Sequence, residues 1–255
     1  MSSIGKVWQE YILMANIILQ KFIANAGYCS RRKAEEFIRL GQVKVNNKIA
    51  ELGMKVSEYD KIEIGSELIV LPKEKIYIIL NKPLGITCTN REFKGEKNVF
   101  ELLPNEFKNL HVVGRLDKNS RGLVLLTNDG DLTMRMTHPR FGHEKKYMVQ
   151  LSIMNYQLHP SSEHKRIDQI IDNFLKGIDI GDGDGIVKAK NIKYLEKDKF
   201  EIILTEGKKR QIRRMFKKIG LKVSDLQRVA IEEIELGGLN EGKWKKLKSG
   251  DLGLL

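Results

Sequence analysis

Gly114-Arg115-Leu116-Asp117-Lys118-Asn119-Ser120-Arg121-Gly122-Leu123-Val124-Leu125-Leu126-Thr127-Asn128-Asp129-Gly130 places a carboxylate, Asp117, two residues after an arginine and directly before a lysine. The apolar runs on either side, Leu110–Val113 and Leu123–Thr127, read as buried strands, because they are short and bounded by turn residues. Asp117 therefore belongs to the connection between two strands. Taken alone, an Asp in Leu-Asp-Lys-Asn-Ser is a turn residue that hydrogen-bonds its own backbone. Composition and periodicity do not make it more than that.

Outward from this stretch, Ile76–Leu80 reads as a further buried strand, stopped by Asn81-Lys82-Pro83. Tyr147–Leu151 and Phe200–Thr205 are also strands, while Leu132–Thr137, Ile167–Leu175 and Arg210–Ile219 are helices. Strands outnumber helices and do not alternate with them regularly, so the class is α+β rather than doubly wound. Nearer the start the pattern turns helical from Asn16. Leu19, Phe22, Ile23 and Ala26 share one face, and Gly27 ends that helix. Ser30 caps a second helix with an apolar stripe of Ala34, Phe37 and Ile38, and Gly41 stops it. Val43 and Val45 then alternate with polar residues up to a tight turn at Asn46-Asn47, and Val56, Ile62 and Ile64 continue the alternation. Leu71-Pro72-Lys73-Glu74-Lys75 is a polar linker, so two domains are expected, over residues 15–71 and 76–255. Residues 1–14 read as a leader without a role, expected to be disordered, with Met14 as an alternative start; they lack the charged start and apolar core of a secretion signal.

Forty-five Lys and Arg against 33 Asp and Glu leave a net charge of +12, with a pI near 9.5. A polyanionic partner explains that excess, although charge alone does not separate RNA, DNA and an anionic membrane. No apolar run approaches the length of a membrane-spanning helix. Two cysteines, Cys29 and Cys88, are too few and too far apart for a disulfide framework or a zinc ribbon, which fits a reducing cytoplasm. Asp182-Gly183-Asp184-Gly185 suggests a calcium loop, but Ile180 and Asn191 would occupy its first and last ligand positions, so a hairpin turn is expected instead. The pairs His138/His143 and His159/His164 have no metal-ligand spacing, and no phosphate loop of the NTPase kind is present.

Three cations, Arg31, Arg32 and Lys33, crowd the first turn of the second helix, where the dipole disfavours them. They form either a solvated face or a phosphate-docking site that uses charge and dipole together. Glu206-Gly207-Lys208-Lys209-Arg210-Gln211-Ile212-Arg213-Arg214-Met215-Phe216-Lys217-Lys218 holds seven cations in the eleven residues from Lys208 to Lys218, with no acid. Density of that kind signals RNA or a solvated helix.

Taken together, the Gly-Arg-Leu-Asp stretch, Lys145-Lys146-Tyr147 and the Glu206–Met215 segment resemble the pseudouridine synthases that modify bacterial ribosomal RNA, in the RsuA/RluB-type subfamily. Ser120 stands where that family has Thr and Val124 where it has Leu; neither change touches the acid. The segment containing Ser30-Arg31-Arg32-Lys33-Ala34 and Gly41-Gln42-Val43-Lys44-Val45-Asn46 is similar to the alpha-L RNA-binding module that precedes the catalytic domain in this subfamily. The resemblance implies a mixed, mainly antiparallel β-sheet with flanking helices for the catalytic domain. It implies Asp117 as the catalytic acid, Arg115 entering the RNA stack in place of the target base, and Tyr147 stacking on the uracil. Arg213 is implied to reach Asp117 and keep it ionised. Leu226 is implied to line the base pocket. Arg31, Arg32, Lys33, Lys208, Lys209, Arg210 and Arg214 are implied to meet phosphates. No cofactor and no metal are expected. The partner is ribosomal RNA, free or in a pre-ribosomal particle, with no membrane and a monomeric protein. The stretch Leu236–Leu247 looks more like the large-subunit members. A small-subunit enzyme and a non-catalytic assembly factor are the alternatives, and retention of Asp117, Tyr147 and Arg213 argues against the latter.

Overall fold

A computed structural model describes residues 17–89, 94–152 and 160–252. The expected leader and the alternative start at Met14 lie outside the described residues, as does His159. The chain divides into two compact units, one reaching to Lys75 and including Asn128–Gly130, the other formed by Ile76–Thr127 and the chain from Asp131 onward.

The first unit contains β1 (Ile17–Ile18), α1 (Leu19–Asn25), α2 (Arg31–Arg39), β2 (Val43–Val45), β3 (Lys48–Ile49), β4 (Lys55–Val56), β5 (Ile62–Ile64) and β6 (Glu67–Ile69). The sequence places helix from Asn16, yet Ile17–Ile18 is extended, because it pairs with Lys55–Val56 of β4. Ser30 caps α2 by accepting the Lys33 amide at 3.3 Å. Asn46 and Asn47 have φ of 51° and 67° and form the two-residue turn between β2 and β3. Such a turn needs left-handed backbone at both positions, which Asn tolerates. Leu19, Phe22 and Ile23 of α1, Ala34 and Ile38 of α2, and Val43 and Ile62 of the sheet close one small core.

In the second unit the strands are β7 (Tyr77–Lys82), β8 (His111–Val113), β9 (Arg121–Thr127), β10 (Lys145–Leu151), β11 (Ile178–Asp179), β12 (Ile186–Val187), β13 (Asn191–Tyr194), β14 (Lys199–Leu204), β15 (Val223–Ile231), β16 (Ile234–Glu235) and β17 (Trp244–Lys246). Its helices are α3 (Gly130–Thr137), α4 (Pro160–Lys176) and α5 (Gln211–Lys218). Nine strands form one sheet in the order β13-β14-β10-β15-β9-β7-β17, with β8 added on β9 and β16 on β15. Every pairing in it is antiparallel except β15 with β9. Alternate side chains of a strand point to opposite faces. In β7 and β9, Ile78, Leu80, Val124 and Leu126 pack into one core, while Tyr77, Ile79, Leu123 and Leu125 pack into another. Both faces are covered, so these strands read as unbroken apolar runs instead of alternating ones. Ile212, Met215 and Phe216 of α5 and Phe174 of α4 complete the first core.

Two departures from the sequence reading have local causes. Strand β7 does not stop at Leu80 but runs through Asn81 and Lys82, both buried. Carbonyl partners make that tolerable: the Asn81 side chain donates to Leu239 at 2.7 Å and Lys82 Nζ to Pro83 at 2.8 Å. The nine-residue β15, unmarked by alternation in the sequence, shifts register against β10 on either side of the Tyr147–Gln150 stretch. Each extra residue of such a bulge flips the remaining side chains to the other face, which erases period two over the whole strand. The expected hairpin at Asp182–Gly185 is present, joining β11 to β12. Among the described residues no helix is long and apolar enough to cross a membrane.

Candidate active site

One edge of β9 is shared by two partners. Strand β15 lies along Arg121–Gly122 and β8 along Leu125–Thr127. With β15 on that edge, β8 and β9 cannot close as a tight hairpin, and Gly114–Ser120 bows out of the sheet carrying Asp117. Gly122 makes the crossing possible. Its φ is +105°, and a Cβ there would fall 2.2 Å from the Arg228 carbonyl oxygen, an overlap no side chain can accommodate.

The bowed loop forms one wall of a cavity of about 860 Å³. Leu116, Asp117 and Ser120 come from the loop, Tyr147 from β10, Leu226 from β15, Leu204 from β14 and Ile212 from α5, with Thr87, Cys88 and Thr89 alongside. Arg115, Lys118, Lys208, Lys209 and Arg210 line it as well, all exposed. The cavity thus combines a set of apolar side chains with one half-buried carboxylate and five exposed cations. Tyr147 and Leu226 come together because β10 and β15 are neighbours, with Val149 opposite Leu226 and Tyr147 opposite Arg228.

Asp117 accepts the Ser120 amide at 3.0 Å through its main-chain oxygen, which shapes the turn. Among the described residues, no hydrogen bond or ion pair engages its carboxylate. Arg213 does not meet it directly, contrary to the sequence expectation. The guanidinium donates to the Asn119 carbonyl at 2.5 Å and to the Val223 carbonyl at 2.9 Å. It therefore braces the loop two residues beyond the acid and acts on the carboxylate through space. Burial pulls the Arg213 pKa down, helped by Arg210 and opposed by Asp117 and Asp225.

The rim is built by a buried amide. Gln211, 3 % exposed, accepts the Lys208 amide at 3.0 Å and donates to Glu206 at 3.1 Å. This closes the turn ahead of α5 and turns Lys208, Lys209 and Arg210 outward. Arg210 sits at φ 53°, a left-handed conformation costly for a residue with a Cβ. Arg214, expected on phosphates, is instead used inside the fold. It pairs with Asp184 at 2.6 Å and Asp182 at 3.2 Å and donates to the carbonyls of Ile180 and Gly181. Residues 213 and 214 leave a helix about 100° apart, so one of the pair faces the Asp117 loop while the other faces the β11–β12 hairpin. In the first unit, Arg31, Arg32 and Lys33 are exposed on α2, and Lys33 also pairs with Glu36 at 2.9 Å.

Sequence reasoning passed over Lys82 and Arg228, 0 % and 1 % exposed. Arg228 donates to the carbonyls of Leu123 and Gly114, and Lys82 to that of Pro83. Burial lowers the Lys82 pKa, against the pull of Cys88, Asp117 and Glu241. It raises the Cys88 thiol, with the Leu116 amide and nearby cations opposing. A cation inside an apolar run was the available signal, because a fully buried Lys or Arg is rare. Among the described residues, no cluster of three or more His, Cys, Asp or Glu could hold a metal.

A family model described as "RNA pseudouridylate synthase" matches residues 76–218, and one described as "S4 domain" matches residues 19–62. An "Uncharacterized RNA pseudouridine synthase" of Aquifex aeolicus is 37% identical over 249 residues, 95% of this chain and 94% of the relative. The "Ribosomal large subunit pseudouridine synthase B" of Bacillus subtilis is 36% identical over 234 residues, covering 90% of this chain and 91% of its own length. The "Dual-specificity RNA pseudouridine synthase RluF" of Escherichia coli K12 is 33% identical over 243 residues, or 93% of this chain and 78% of its own length. A solved structure titled "Crystal structure of pseudouridylate synthase" superposes with a TM-score of 0.64 at 30% identity, covering 92% of this chain and 98% of that one. A carboxylate on a bowed loop, sharing its cavity with an aromatic ring and exposed cations, thus lies on a chain that belongs to the RNA pseudouridylate synthase family and carries an S4 domain ahead of the sheet.

Proposed function

We propose that this enzyme isomerises uridine to pseudouridine in ribosomal RNA, with Asp117 as its catalytic residue. The observation that carries the reading is the Asp117 carboxylate, without a hydrogen-bond or ion-pair partner among the described residues, in a cavity of about 860 Å³ that Tyr147 and Leu226 also line. That volume suits a small organic ligand, and a flipped nucleotide is of that size. Extruding the base costs a few kcal/mol of stacking. Arg115, exposed on the rim, offsets part of that loss by filling the gap with its planar guanidinium. The Tyr147 ring holds the uracil by its face, which leaves the base free to turn in its own plane.

In the reaction the bond from N1 to C1′ breaks, the uracil turns, and C5 bonds to C1′. The C5 proton then leaves and N1 is protonated, so atoms and charge balance without a redox partner. Attack of Asp117 on the sugar, addition to the base, and removal of a sugar proton all require the ionised carboxylate with a lone pair available. Arg115, Lys208, Lys209 and Arg210 bind the flanking phosphates, as do Arg31, Arg32 and Lys33 on the first unit.

The large subunit is the proposed target. The Leu236–Leu247 stretch and the name of the Bacillus subtilis relative support it, whereas the Escherichia coli relative is named for dual specificity. The enzyme acts as a monomer in the cytoplasm, on free RNA or a pre-ribosomal particle.

The test is pseudouridine mapping, by carbodiimide labelling and primer extension, on unmodified large- and small-subunit RNA. A new stop in large-subunit RNA, present with wild type and absent with Asp117→Asn, is expected. A stop in small-subunit RNA alone would correct the target. No stop in either RNA, with tight binding intact, would point to an assembly factor or to a requirement for a particle.

A further inference from the structure

Arg228 lies in β15, buried, with Nε donating to the Leu123 carbonyl at 2.8 Å and Nη2 to the Gly114 carbonyl at 2.7 Å. Gly114 ends β8 and Leu123 lies in β9, so the two acceptors stand on the two stems of the loop that carries Asp117. A planar fork with fixed N–H directions can span both, whereas one ammonium cannot. Among the described residues, no carboxylate pairs with Arg228. Burying a guanidinium on neutral acceptors alone is costly, and an apolar side chain would hold β15 in the core without that penalty.

The arrangement is not isolated. Lys82 Nζ lies 3.5 Å from the Lys118 carbonyl, and Arg213 holds that of Asn119. Cations from β7, α5 and β15 therefore grip the loop at Lys118, Asn119 and Gly114, on both sides of Asp117. All three act on main-chain oxygens and leave the carboxylate free for substrate.

We propose that Arg228 is the positioning residue of this loop, fixing the separation of its two stems and with it the place of Asp117 in the cavity. This rests on the catalytic reading of Asp117. Other charged or titratable groups surround the acid. Arg115 and Lys118 lie on its own loop, Lys82 on β7 and Cys88 on the connection after it. Arg213 lies on α5 and Lys208, Lys209 and Arg210 ahead of it. Tyr147 lies on β10, Asp225 on β15 and Glu241 before β17.

The test compares wild type, Arg228→Lys, Arg228→Met and Asp117→Asn as full chains. Single-turnover tritium release from C5-labelled uridine in ribosomal RNA is followed against pH, with RNA affinity and melting temperature measured in parallel. Arg228→Lys keeps the charge but releases one stem, so its rate should fall about tenfold or more, with affinity unchanged and the acid limb of the pH profile in place; misplacement by about 1 Å can cost ~100-fold. Arg228→Met releases both stems and should lose more rate, again with RNA affinity unchanged. Wild-type rate in Arg228→Lys would overturn the inference. So would an unchanged single-turnover rate in a folded Arg228→Met that merely melts earlier, the mark of a structural role. Should Arg228→Met fail to fold, the Lys variant decides alone. Release that persists in Asp117→Asn, or is absent from wild type, would bring down the catalytic reading itself and this inference with it.

Discussion

Arg121 and Asp225 form a bidentate ion pair where β9 and β15 run parallel, with Nε 3.0 Å from both carboxylate oxygens and Nη2 2.7 Å from one of them. Asp225 and neighbouring Glu241 raise the Arg121 pKa against the effect of burial. The pair fastens the crossing from which the acid-bearing loop departs, one residue after Ser120. Because it is half-buried and two-pronged, it should exceed an ordinary surface pair. Arg121→Ala is predicted to cost about 1–2 kcal/mol, read as a lower urea midpoint with unchanged slope. A midpoint equal to wild type would show the pair to be ornamental.

The two faces of the basic segment should separate in a salt titration. Lys208→Ala with Lys209→Ala removes rim cations, so the slope of log affinity against log salt should become shallower by about 0.7 for each phosphate no longer neutralised. Arg214→Ala should leave that slope alone and instead destabilise the fold by about 2–3 kcal/mol, since Asp184 would be left without its main partner. The reverse pattern would return Arg214 to the RNA surface.

On the first unit, Arg31→Ala with Arg32→Ala should also flatten the salt slope. Lys33→Ala should do less, because Glu36 and the Phe37 ring, 5.0 Å from the ammonium, already engage it. An unchanged slope in the double variant would mean that α2 does not dock phosphate.

With Tyr147 stacking on the base as proposed, Tyr147→Phe should keep most turnover. Tyr147→Leu should lose about 1–3 kcal/mol of stacking, seen as a rate loss of about tenfold or more. Equal losses in both variants would shift the role from the ring to the hydroxyl.

Asp60 accepts the Ser57 amide at 2.6 Å and the Asn46 side chain at 2.7 Å. The Ser57 amide is the largest cause of its lowered pKa, with burial opposing. A carboxyl whose folded pKa is depressed contributes stability that is full above its unfolded pKa of about 3.9 and is lost as pH falls through the folded value. The melting-temperature gap between wild type and Asp60→Asn should therefore be constant near neutrality and shrink in acid. A gap that stays constant at every pH would show that ionisation is not what stabilises the turn.

Much of the first unit was legible locally. Ser30 caps its own helix, Asn46 and Asn47 form a two-residue turn, and the stripes of α1 and α2 follow the helical period. In the second unit, β7 and β9 were recognisable because runs buried on both faces stay apolar throughout, and β10 and β14 because buried residues alternate with partly exposed ones. Strand β15 was not, because two bulges and a buried arginine break its pattern. The site divides in the same way. Asp117, Tyr147 and the rim cations were marked by short motifs, since chemistry constrains residue type at close spacing.

By itself, the sequence determined the two-module order, the α+β class and the polyanionic character of the partner, properties set by composition and by neighbours along the chain, and its motifs marked Asp117 as the candidate acid. Only the tertiary structure decided which cation meets which oxygen. Arg213 and Arg214 are adjacent yet face different elements, one toward the Asn119 carbonyl and the other toward Asp184. Arg228 acts on Gly114, 114 residues earlier. Pairings at that separation depend on strand order and register, and the parallel crossing of β15 on β9 at Gly122 is a property of the assembled sheet.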